Sequence, residues 1–140
     1  MKKRLAICAA IILAGLSLRA FGLALGLPAV VVKYGGSILW AAMVYFLVAL
    51  SRGDRPRWRN AAAAMSIAIA VEAFRLYHTP TLDAFRLTLP GALLLGRIFS
   101  AWNILAYALG VALATACDPG AGQDAKPMSS RASIDGGFLR

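Results

Sequence analysis

Apolar residues in this chain run in long blocks rather than along one face of an element, and that blockiness restricts the fold more than any other feature. Four blocks stand out: residues 5–18 behind a basic start, 34–50, 61–77 and 98–116. As helices rising 1.5 Å per residue, the last three reach about 25–29 Å, close to the ~30 Å hydrocarbon layer of a bilayer. The chain is 60% apolar and 15% charged, against roughly 45–50% and about 25% in soluble domains. A single domain of 140 residues lacks the interior volume to hide that much apolar surface from water. The net charge of +9 sits in short clusters between the blocks. That is the pattern of membrane topology and anionic headgroups, and nucleic acid is excluded as a partner on the same ground.

The basic start and the 14-residue run of 5–18 share the outline of a signal peptide. No small-x-small cleavage pattern follows, because Leu16-Ser17-Leu18-Arg19 puts bulky or charged groups there, and Cys8 lies too near the start for a lipoprotein signal. Apolar sequence resumes over 20–32. The expectation is an uncleaved first helix with Arg19 near its outer end. Residues 82–97 are apolar through Leu89, Leu93, Leu94 and Leu95 but interrupted by Pro90, Gly91 and Gly96, and read as an interfacial segment. From Asp118 the composition turns to Gly, Pro, Ser, Asp and Lys, which leaves little to bury. The expected organisation is a four-helix transmembrane domain over 1–117, all-α, with the interfacial segment between helices 3 and 4, and a disordered cytoplasmic tail over 118–140.

Lys and Arg set the orientation. Residues 1–4, 51–60 and the tail carry ten, against five (Arg19, Lys33, Arg75, Arg86 and Arg97) in the other two loops. Both termini are therefore expected inside. The two cysteines, Cys8 and Cys117, fit no metal-ligand spacing and read as apolar fillers. Ala61–Ala64 with Ser66, Ala68 and Ala70, and the stripe Ala106, Gly110 and Ala114, are the small residues that let membrane helices approach; Gly22 and Gly26 have the same four-residue spacing.

The informative residues are polar ones inside the blocks. Counted from Ala61, Glu72 lies about 16 Å along its helix, just past the midplane, with Arg75 at i+3. Counted from Ile98, Asn103 is about 7–8 Å deep and Tyr107 about 13–14 Å deep. An ionisable group at such depth costs roughly 2.5–3.5 kcal/mol and turns toward protein or water. Arg75 and the Asn103 amide are the partners expected for the Glu72 carboxylate. Tyr77, His78, Asp83 and Arg86 follow just outside, and Arg19, Lys33 and Tyr34 arrive from the first loop. These residues form one candidate patch with three readings: a fastening between helices, a pocket for an anionic or headgroup ligand, or an acid–base site with Glu72 and His78. No nucleophile has a recognisable setting, so no catalytic residue is assigned. With a single histidine a zinc site would have to rest on carboxylates, and neither metal nor cofactor is expected.

Val32-Lys33-Tyr34-Gly35-Gly36, Leu39-Trp40-Ala41, Glu72 with Leu76-Tyr77-His78, Leu82-Asp83 with Arg86, and Ala106-Tyr107-Ala108-Leu109-Gly110 together resemble the small bacterial membrane proteins grouped as domain of unknown function 2809. The likeness spans about residues 5–116. Glu72 and the Asn103, Tyr107, Gly110 stripe resemble, more distantly, VanZ-like membrane proteins. The resemblance implies a multi-pass protein of the bacterial inner membrane and cell envelope, and no established activity. The chain departs from the family pattern at Ser37 and Asn103, where the family tends to carry Asp, and at Arg75, where it tends to carry Gln. Two carboxylates are absent and one cation is added, which points to a local Glu72–Arg75 ion pair. The function expected is a non-enzymatic membrane protein with a polar pocket open to the periplasmic side. The alternatives are an enzyme acting on a lipid-linked substrate through Glu72, or a structural accessory subunit. Its partners are the lipid bilayer and, in the accessory role, other membrane or envelope proteins.

Overall fold

A computed structural model describes residues 1–53, 55–88, 90–91 and 99–122. The described residues are all-α: α1 (Lys2–Phe21), α2 (Ala29–Arg52), α3 (Arg57–Phe74), α4 (Pro80–Leu87) and α5 (Ala101–Cys117), closed by a 3₁₀ turn at Pro119–Gly122. Two prolines launch helices: Pro28 (φ −56°, ψ 139°) before α2 and Pro56 (φ −52°, ψ 137°) before α3. Their fixed φ suits the residue flanking a helix start, where no backbone N–H is needed. Thr79 caps α4 by accepting the Leu82 N–H at 3.3 Å, with Pro80 in the first helical position.

These starts shift three expected boundaries. The α2 helix begins at Ala29, not residue 34, because one lysine on an apolar run does not end a helix. The α3 helix begins inside the basic loop at Arg57 and stops at Phe74. Gly22 and Gly26 lie beyond the end of α1 in the turn to α2; Gly22 is buried where a β-carbon would meet Val32 of α2, while Gly26 takes φ +78° in open space, so only the first of the pair makes a helix contact. Of the expected interfacial segment, residues 82–87 belong to α4; residues 89 and 92–98, with Leu93, Leu94, Leu95, Gly96 and Arg97, lie outside the described residues.

The α2 helix is central, packing on α1, α3 and α5, while α3 also packs on α5. Successive long helices alternate in direction. Arg4, at the start of α1, donates from Nη1 to the Ala49 and Gly53 carbonyls at the end of α2 (3.5 and 3.3 Å). Arg57, at the start of α3, donates to the Thr115 carbonyl near the end of α5 at 3.0 Å. Small residues make the contacts. The buried face of α3 is Asn60, Ala64, Ala68 and Glu72, one residue per turn, and that of α5 includes Asn103, Tyr107, Gly110 and Ala114. At Gly110 a β-carbon would run into the Ile38 carbonyl oxygen of α2 and come within 3.1 Å of Ala41 Cβ. Only glycine permits that approach.

Many large apolar side chains stand on the surface. The interior combines alanines with Val44, Tyr45, Phe46, Val48, Tyr107 and Val111 and also holds polar groups (Arg4, Asn60, Glu72, Arg86, Asn103 and Asp118), while Leu5, Leu13, Leu47, Trp102 and Leu105 are exposed. Large apolar side chains are normally the ones inside. By length and composition α1 and α2 can cross a membrane, yet only 11% and 33% of their apolar windows are buried. A core helix of a soluble protein would be mostly buried.

Asp118 is not the first residue of a loose tail. It is buried, and Arg4 grips it through Nε–Oδ1 at 2.7 Å and Nη2–Oδ2 at 3.0 Å. Tyr45 (3.0 Å) and the Gly120 N–H (3.1 Å) donate to the same carboxylate. The packed body therefore extends at least to Gly120, and residues 123–140 lie outside the described residues. Burial alone would raise the Asp118 carboxyl, but the Arg4 hydrogen bonds, the Gly120 N–H, the Tyr45 hydroxyl and the Arg4 charge hold it below its ordinary value. A carboxyl lowered on folding stabilises the fold above its unfolded value, about 3.9, and that contribution is lost as pH falls through the lower folded value. Acid denaturation in detergent should thus show a limb below about pH 4 that Asp118→Asn removes; an unchanged limb would deny the lock a part in stability.

Candidate functional site

At the opposite end of the bundle, the inner stripe of α3 terminates in Glu72, which is fully buried. The α5 helix starts against it, and the Ser100 N–H donates to Glu72 Oε1 at 2.7 Å. A carboxylate at that position complements the positive end of the α5 dipole. One and two turns further along α5, Asn103 Nδ2 donates to Oε1 at 3.2 Å and the Tyr107 hydroxyl to Oε2 at 2.8 Å. Arg75, one turn along α3's own axis, places Nη1 2.6 Å from Oε2 with its side chain 12% exposed. From α2, Ser37 donates to Asn103 Oδ1 at 3.4 Å, and Trp40 packs on the Tyr107 ring with centroids 5.4 Å apart. The hub therefore ties α2, α3 and α5 together.

Four donors on two oxygens use the acceptor capacity of a carboxylate. The Asn103 amide gives its NH₂ to Glu72, and its carbonyl lies 3.4 Å from the Ser37 hydroxyl, whose single proton is shared with the Lys33 carbonyl at 3.2 Å. Chemically this arrangement holds a charge in place without leaving a lone pair for a ligand or a proton transfer. Glu72 sits near the end of α3, about 22 Å from Arg57, and so lies deeper toward the far face than counting from Ala61 suggests.

The other expected residues divide into two groups. Arg86 is buried and caps α3, with Nη2 donating to the Phe74 carbonyl at 2.7 Å and Nη1 to the Tyr77 carbonyl at 2.9 Å. A cation suits a helix C-terminus, where carbonyls lack partners. Asp83 pairs with Arg86 Nη1 at 3.1 Å and with His78 Nδ1 at 3.1 Å. Tyr77 is exposed and stacks on Phe74. These four clamp the connection from α3 to α4. Arg19 and Lys33 are exposed, Lys33 lying 5.1 Å from the centre of the half-buried Tyr34 ring. No hydrogen bond or ion pair among the described residues joins Arg19, Lys33 or Tyr34 to Glu72. The structure thus brings together Glu72, Arg75, Asn103 and Tyr107, and adds Ser37 and the Ser100 backbone. Ser37 was legible only as a departure from the family's Asp; Ser100 carried no signal, since its N–H does the bonding. No set of three His, Cys, Asp or Glu side chains converges on a metal position among the described residues.

The sequence profile of one family, described as a protein of unknown function (DUF2809), matches residues 26–111. The matched stretch contains every residue of the Glu72 hub and neither Arg4 nor Asp118. No solved structure matches the chain.

Proposed function

Since this chain belongs to the DUF2809 family of proteins of unknown function, a membership that brings no activity with it, we propose its role from the geometry: a non-enzymatic, multi-pass protein of the inner membrane and cell envelope, whose Glu72 hub fastens its helices. In this reading α1, α2, α3 and α5 cross the bilayer as a four-helix bundle. Both termini and the arginine-rich end are cytoplasmic, and α4 lies at the periplasmic interface. The many exposed leucines and the alanines buried at helix contacts support it, because lipid-facing surfaces take large apolar side chains while small residues line helix contacts. The fastening role rests on one observation: the Glu72 carboxylate has no exposure and is saturated by four donors from two helices and the backbone before α5. Catalysis by Glu72 on a lipid-linked substrate is not favoured by oxygens already so engaged.

Accessibility tests this directly. With Cys8 and Cys117 replaced, single cysteines at positions 72, 103 and 107 should resist a membrane-impermeant maleimide added from the periplasmic side, while cysteines at 33 and 78 react. Labelling at 72 and 103 as fast as at 78 would overturn the fastening role and favour a water-filled pocket. A second reading, recognition of an anionic headgroup at the periplasmic face, has its own support in the exposed cations Arg19 and Lys33 beside Tyr34. It places the ligand above the hub, not in it.

A further inference from the structure

The arginine-rich end carries a feature that the hub does not explain. Arg52 at the end of α2, Arg55 in the loop and Arg59 on the first turn of α3 line one surface pocket of about 330 Å³, with Trp58 as a wall and Ala62 and Ser66 along its floor. Among the described residues that line it, none is acidic, and residues 51–60 hold four arginines against the single acid Asp54. Arg59 lies 5.3 Å from the centre of the Trp58 indole, a contact that pre-sets the guanidinium beside the pocket. The α3 helix opens on Pro56, so its positive dipole end faces the same region. Trp58, 67% exposed, is the residue type that sits at the headgroup level. Below it the pocket floor descends α3 as small side chains, and Trp58 and Ala62 are shared with a larger groove of about 1260 Å³ between α3 and α5.

From these features we infer that Arg52, Arg55 and Arg59 form a binding site for the phosphate of an anionic phospholipid of the cytoplasmic leaflet. Trp58 lies at the glycerol level and an acyl chain follows the small-residue face of α3. Forked guanidinium donors match phosphate oxygens two at a time, and clusters of basic side chains between membrane helices bind acidic headgroups on that side. Free phosphate presents the same oxygens without the chain, so lipid and anion are separated experimentally. The site rests on the membrane reading above and does not use the hub.

The test uses the full chain with Trp40→Phe and Trp102→Phe, leaving Trp58 as the reporter, in nanodiscs of phosphatidylcholine containing a minor fraction of phosphatidylglycerol. Bromination of either lipid's acyl chains makes it a quencher. Brominated phosphatidylglycerol should quench Trp58 as if enriched on the order of ten-fold over its bulk fraction. Arg52→Gln, Arg55→Gln and Arg59→Gln together should abolish the enrichment, and the three Lys replacements should retain part of it. Arg19→Gln with Lys33→Gln, at the other end, should leave it unchanged, and inorganic phosphate should not displace it. Equal quenching by both brominated lipids, or enrichment surviving the triple Gln variant, overturns the site. Displacement by inorganic phosphate overturns the lipid as its occupant. Quenching by neither lipid instead defeats the membrane placement of this end.

Discussion

Glu72→Ala is expected to cost about 3–5 kcal/mol of stability, measured by SDS titration in mixed micelles, because it removes one partner of a buried ion pair and strands the others. Arg75 loses its carboxylate, the Tyr107 hydroxyl and Asn103 amide lose their acceptor, and the Ser100 N–H is left open where α5 begins. Each buried group left unsatisfied costs about 1–3 kcal/mol by itself, so partial relaxation is already allowed for. The informative comparison is a cycle. Glu72→Gln keeps an acceptor of the same shape but removes the charge, and Arg75→Met removes the cation. If the two form a self-neutralising pair, the double variant should be milder than the sum of the single changes, by about 0.5–3 kcal/mol. Additive losses would mean that Glu72 is held by its neutral donors and that Arg75 is incidental.

The second large effect belongs to Gly110. In an exposed helix interior, glycine to alanine gains about 1 kcal/mol from helix propensity. Here the sign should reverse, since the added β-carbon meets the Ile38 carbonyl oxygen and lies 3.0 Å from its carbon. Backbone cannot rotate away as a side chain can, so α2 and α5 must separate. Overpacking of this kind costs about 1–3 kcal/mol, and Gly110→Leu should exceed Gly110→Ala. The separation should also reach the hub, because Ser37 and Trp40 hold Asn103 and Tyr107 across the same interface. An alanine variant as stable as the native chain, or more so, would deny the close approach.

The sequence made the hub legible for a definite reason. A carboxylate within an apolar block must find donors, and the i, i+4 spacing of Asn103 and Tyr107 puts both on the face that meets Glu72. Arg75 followed from its place one turn along. The stripe of Ala106, Gly110 and Ala114 was readable on the same basis and is buried as expected. What escaped was anything set by the path of the backbone between blocks. Arg86 looks in sequence like a solvated loop charge, yet the chain folds back so that it caps α3. Arg4 counted as a topology signal and Asp118 as the first residue of a tail, because no local pattern links positions so far apart. Boundaries shifted where Pro28 and Pro56 start helices earlier than hydropathy does.

The Arg4–Asp118 pair also bears on how the molecule comes together. Its two halves are 114 positions apart, so the lock cannot close until α1 and the end of α5 have both formed. Docking of Arg4 against the Ala49 and Gly53 carbonyls at the end of α2 is therefore coupled to the arrival of α5, which brings Asp118.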